Sequence, residues 1–109
     1  MKTAILLYAL LFLVSCASTK MVMTPTKADV DRIAAKYPGY TLQQLDQGKT
    51  LFTTHCGNCH GLKNPASKSE EQWQKIVPRM AIKVNKKGEV LNADGQELIL
   101  RYLVTMGSR

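Results

Sequence analysis

Residues 56–60 read Cys-Gly-Asn-Cys-His, and no other stretch narrows the possible folds of this 109-residue chain as much. Two thiols three positions apart share one turn of helix, with an imidazole immediately after them. This is the C-x-x-C-H spacing of c-type haem attachment. The thiols of Cys56 and Cys59 add to the two vinyl groups of haem, and His60 is then held under the iron as proximal ligand. A thioredoxin-like pair would follow a strand, whereas the segment before Cys56 reads as helix. A zinc site needs a second ligand pair at a distance, and the remaining cysteine and histidine are Cys16 and His55. A purely structural thiol pair is the last alternative, though a short exported chain tends to form longer-range disulfides instead.

The N-terminal segment carries one positive charge, Lys2, and then eleven apolar residues from Ala4 to Val14. That run is shorter than the roughly 20 residues a spanning helix needs and has the form of an export signal. It ends in Leu13-Val14-Ser15-Cys16, which resembles a bacterial lipobox; the resemblance implies cleavage before Cys16 and acylation of that residue. Cleavage after Ala17 is the competing reading, because Ser15 and Ala17 are also small. The lipid anchor is favoured because it accounts for the odd cysteine. Either route exports the chain to the periplasm or outer cell surface.

Removing residues 1–15 from the 109 leaves 94, enough for one small domain. Lys2 is the only charge lost, so 14 Lys+Arg stand against 8 Asp+Glu, a balance of +6. Such a charge favours acidic proteins or anionic membrane surface; nucleic acid is the wrong partner for an exported protein. A core this small needs a staple. A covalent haem would supply one, with Leu51, Phe52, Leu62, Trp73, Ile76 and Tyr102 around it, and the haem-free chain should then be largely unfolded.

Residues 16–28, Ser/Thr/Lys-rich with Pro25, read as a flexible tether. Val30, Ile33, Ala34 and Tyr37 predict a short amphipathic helix in 29–37, stopped by Pro38-Gly39 and giving a helix-and-turn unit over 29–40. The main domain, 41–109, opens with a capping box, Thr41 and Gln44, on a helix carrying Leu45, Gly48 and Phe52 into Cys56. A second box, Ser69 and Gln72, starts a helix with Trp73, Ile76 and Val77 on its apolar stripe. Pro78 is expected to end or kink it, and 83–90 reads as a basic loop. Asn92 or Asp94 caps a last helix bearing Leu98, Ile99, Tyr102, Leu103 and Met106. No strong strand pattern occurs, so the fold class is all-α.

From Thr41 to Val104 the chain resembles a small class I monohaem bacterial cytochrome c. Gly48 lies eight residues before Cys56, and Phe52 four before it, as in that family's N-terminal helix. The resemblance implies a fold in which N- and C-terminal helices cross beside the haem, here with Ile99 and Tyr102 facing Gly48. It also implies that Pro65 lies near the proximal histidine and that a distal methionine sits between the middle and last helices, where Met80 stands. Of the other methionines, Met21 and Met23 fall in the tether and Met106 reads as a packing residue. With His60 and Met80 on the iron, the chain is expected to be a single-electron carrier and no enzyme. It would act as a monomer with redox proteins or membrane respiratory complexes. The alternatives are a haem-based small-ligand sensor and a subunit of a larger oxidoreductase. Lys83, Lys86 and Lys87 read equally as a docking patch for an acidic partner and as a solvated loop.

Overall fold

Local capping chemistry decides where the helices begin. In the computed structural model, which describes residues 24–60 and 63–109 and the side chains of all these except 57–60, the elements are helical throughout. They are α1 (Lys27–Ile33), α2 (Leu42–His60), a 3₁₀ turn (Pro65–Ser67), α3 (Glu70–Lys86) and α4 (Ala93–Gly107). The Thr41 hydroxyl accepts the Gln44 N–H at 3.1 Å, and the Gln44 side chain accepts the Thr41 N–H at 3.1 Å. Ser69 and Gln72 make the same reciprocal pair at 3.2 and 2.9 Å. Asn92 Oδ1 accepts the Gly95 N–H at 2.8 Å and opens α4. Each pair satisfies N–H groups that the first helical turn leaves orphaned.

Three boundaries differ from expectation. α3 runs straight through Pro78 to Lys86, so the predicted break is absent and 83–86, expected as loop, is helical. The reason is tertiary. Trp73, Val77, Ala81 and Val84 form one buried stripe that continues past the proline. Pro78 and Gln74, four residues before it, lie on the exposed side, where the carbonyl that loses its partner meets water. The helix closes at Gly88, whose φ of +89° suits a residue without Cβ. The first helix is displaced as well: it begins at Lys27 and ends at Ile33, with a turn through 34–36 before Pro38. Finally, the part of the expected tether that is described, 24–28, belongs to the folded body: Pro25 is buried and Lys27 and Ala28 are helical. The rest of that tether and the export segment, including Cys16, Met21 and Met23, lie outside the described residues.

α1 is bolted to the C-terminal end of α4 by a buried carboxylate. Asp29 accepts Arg109 Nη2 at 2.7 Å and Nε at 2.9 Å, and Arg32 Nη1 lies 2.9 Å from it. Arg109 also donates to the Thr24 carbonyl at 2.9 Å, and Arg32 to the Thr105 carbonyl at 2.8 Å. The Arg109 guanidinium above all holds the Asp29 carboxyl well below the usual carboxylate range, against the opposing effect of burial.

The centre of the molecule is the contact of α2 with α4. A Cβ on Gly48 would overlap the Leu98 carbonyl oxygen and stand 2.8 Å from Tyr102 Cβ, so only glycine allows the two backbones this close. Phe52, one turn on, meets the Tyr102 ring at 5.7 Å between centroids. Leu45, Phe52, Ile99, Tyr102, Leu103 and Met106 are buried here. The expected facing pair was Ile99 and Tyr102; at the glycine itself the neighbours are Leu98, through its backbone, and Tyr102.

Candidate functional site

The register that puts Gly48 and Phe52 against α4 carries Cys56, one turn further, to the same side of α2. Cys56 is buried, and it shares with its neighbours a collapsed apolar cavity too tight to admit a water molecule, lined by Phe52, Cys56, Val77, Met80, Leu91, Ile99 and Leu103. Four segments meet there. α2 supplies the thiol and a phenyl ring, α3 a valine and the Met80 thioether, and α4 two branched side chains. Leu91 comes from the α3–α4 connection.

Polar groups around the rim hold these segments in place. Asn85 Oδ1 accepts the Leu91 N–H at 2.8 Å, and Gln96 Nε2 donates to the Leu91 carbonyl at 3.2 Å. Leu91 is thereby seated in the cavity wall, 2% exposed although its neighbour Val90 is 84% exposed. His55 Nδ1 lies 2.7 Å from Glu89 Oε2 and ties α2 to the same connection. At the opposite end of α3, the Trp73 indole N–H donates to the Pro65 carbonyl at 2.9 Å. The carbonyl of Pro65, the residue that the resemblance placed near the proximal histidine, is thus engaged by Trp73, and Gly107 packs against it closely enough that a Cβ would lie 2.9 Å away.

Of the predicted site residues, Cys56 and Met80 come together in one cavity. Cys59 and His60 lie on the last turn of α2; their side chains, like Leu62 and Cys16, are outside the described residues. Met80 is partly buried against the core, whereas Met106 is fully buried within α4 and absent from the cavity lining. Phe52, Trp73 and Tyr102 are buried, and Leu51 and Ile76 partly so. Leu91 and the His55–Glu89 pair escaped the sequence reading, since nothing local marks a loop leucine as a plug or couples residues 34 positions apart.

The donor types and the apolar lining are of the kind a haem uses, although these side chains, as packed, would have to part to admit the macrocycle. A thiol can take up a vinyl carbon, a thioether is a soft axial ligand, and the remaining walls are hydrocarbon against which a macrocycle can pack. Among the described residues no group of three or more His, Cys, Asp or Glu could hold a bare metal ion, and no helix is long and apolar enough to cross a membrane. No protein-family model, curated protein or solved structure matches the chain.

Proposed function

We propose that this chain is an exported, lipid-anchored single-electron carrier of the class I cytochrome c type. It would hold one haem covalently through Cys56 and Cys59, with His60 and Met80 as axial ligands and Cys16 as the lipidated residue. The observation that carries this reading is that Cys56 and Met80 line the same apolar cavity beside the Gly48–Tyr102 helix contact. Register supports it too: Gly48, Phe52 and Cys56 follow one another on a single face of α2, leading to the C-x-x-C-H turn.

When bound, haem supplies a one-electron ferric–ferrous couple. The protein's part is to hold and to tune. Val77, Ile99, Leu103 and Leu91 would keep water from the bound group, and Phe52 meets Tyr102 across the contact of α2 with α4. Thioether sulfur at Met80 favours the ferrous state relative to a second imidazole. With His60 and Met80 both holding the iron, no substrate site would be needed.

The test is the visible spectrum of the purified protein. One haem per chain should resist extraction by acidified organic solvent, and the ferric form should be low-spin with a sulfur-to-iron charge-transfer band. Replacing Met80 by Ala should abolish that band and lower the reduction potential; Met106→Ala should leave the band in place. A ferrous form that is high-spin and takes up carbon monoxide at once would instead make the protein a small-ligand sensor.

A further inference from the structure

The space shared by Cys56 and Met80 does not admit a water molecule, so a macrocycle fits there only if a wall moves aside. Two of the walls are fixed to each other. α2 and α4 approach so closely at Gly48 that a Cβ would overlap the Leu98 carbonyl oxygen, and Phe52 meets the Tyr102 ring one turn on. The third wall is α3, which leans mainly on α4 and touches α2 little. Cys56 on α2 and Met80 on α3 therefore stand on opposite sides of a thin junction.

α3 is held unevenly along its length. Near its start the Trp73 indole donates to the Pro65 carbonyl at 2.9 Å in a buried hydrogen bond, and Gly107 of α4 backs the same carbonyl. Past its end the chain turns at Gly88, φ +89°, into a strap held by side chains. Asn85 Oδ1 accepts the Leu91 N–H at 2.8 Å, and Gln96 Nε2 donates to the Leu91 carbonyl at 3.2 Å. Glu89, 44% exposed, pairs with His55 of α2 at 2.7 Å, and so exposed a pair is a weak tie. Between the two ends α3 is one continuous helix from Glu70 to Lys86, and its buried stripe of Trp73, Val77, Ala81 and Val84 passes Pro78 without a break.

We infer that Met80 is brought to the haem on an intact helix, α3 swinging as a rigid arm about the Trp73–Pro65 anchor while the 87–91 strap and its plug, Leu91, yield. This rests on the axial ligation proposed above. Hinges are residues at the ends of elements that absorb the change of φ and ψ; Gly88 and the Asn92 cap are placed to do so. Met80 lies about 10 Å along the helix from Trp73 at about 1.5 Å per residue. A swing of about 20°, within the scatter of helix packing angles, moves it by about 3.7 Å, one layer of carbon atoms in contact. That swing breaks the Glu89–His55 pair and the hydrogen bonds at Leu91. Unravelling the arm instead would strip the backbone bonds around Ala81 and Val84 and leave their polar groups against hydrocarbon.

The experiment uses the haem-loaded, full-length protein, hydrogen–deuterium exchange read by mass spectrometry, and imidazole as the probe that displaces Met80 from ferric iron. Before imidazole is added, the amides of 81–86 should be as protected as those of 96–106; rapid exchange at 81–86 would show a loop and overturn the inference. Once imidazole has removed the sulfur-to-iron band, 81–86 should keep their protection while 89–91 exchange several-fold faster. Joint loss of protection would mean that the wall unravels. Glu89→Ala should raise the apparent affinity for imidazole several-fold, whereas Met106→Ala, buried in the core away from the cavity, should leave it unchanged. Equal gains would make opening a matter of overall stability and remove the strap from the account. A protein with no sulfur-to-iron band at the outset would overturn the ligation and this inference with it, a failure distinct from an unravelled wall, which leaves that initial band in place.

Discussion

Replacing Gly48 by Ala sets two effects of opposite sign against each other. In an isolated helix the change gains about 1 kcal/mol, because glycine is the poorer helix former. In the folded domain the new methyl would overlap the Leu98 carbonyl oxygen and stand 2.8 Å from Tyr102 Cβ. Neither atom can rotate aside. The first belongs to the α4 backbone, bonded within its helix, and the second sits at the root of a fully buried side chain. Relief requires the two helices to separate, which loosens Phe52 on Tyr102 and the cavity wall at Ile99 and Leu103. Inserting a methyl into a close-packed contact costs about 1–3 kcal/mol, and a clash with backbone belongs at or beyond the upper end. The net expectation is a loss of about 2 kcal/mol or more, which lowers the melting temperature by at least about 8–16 °C in a domain of this size. Guanidinium titration of the haem-loaded protein, with m unchanged, measures it. Gly39→Ala, where a Cβ would meet nothing but the φ of +77° opposes it, separates backbone strain from collision. A Gly48→Ala protein more stable than the parent would refute the reasoning, since it would mean that helix propensity rules and the close approach is not needed.

The remaining expectations rest on other contacts. Asp29 has its folded-state pKa depressed, so its contribution is present above the unfolded carboxylate value and is lost as pH falls toward the folded one. Urea midpoints at pH 6 and pH 3 should therefore fall further for the parent than for Asp29→Asn, which at pH 6 should cost about 1.5–3 kcal/mol. Met106→Ala should cost about 2–5 kcal/mol by opening a core cavity, read by thermal melting, with no change of the iron spectrum. Cys16→Ser should move the protein from the membrane fraction to the soluble exported fraction or leave it unprocessed. An unmodified N-terminus at Ser18 in the parent would show ordinary signal cleavage instead.

What could be read in advance was what is local. Thr41 with Gln44, Ser69 with Gln72, and Asn92 announced helix starts because a cap is a contact between residues three apart. Met80 fell beside Cys56 because its distance from Trp73 and Val77 along α3 is a matter of helical period. Pro78 misled because its local cost is outweighed by burial of Ala81 and Val84, which depends on α4. Arg109, 80 residues from Asp29, left no trace in any window of sequence, and so the sequence did not decide whether the first helix packs on the body. Thr26 and Asp29 do carry a capping signature, which was the one available hint of where α1 begins.

Trp73 offers a consequence of a different kind. It is the sole tryptophan of the chain, 2% exposed, with its indole N–H on the Pro65 carbonyl and Val77 of the cavity wall one turn further along α3. The protein thus carries a built-in optical gauge. Emission from this ring reports a single place, the seam between the 3₁₀ turn and α3, and a bound haem so near would quench it by energy transfer. Unfolding would brighten the fluorescence and shift it to the red, whereas a chain that lost only its cofactor while keeping this seam closed would brighten without the shift. Colour and intensity read together would distinguish an empty fold from an open chain in one cuvette.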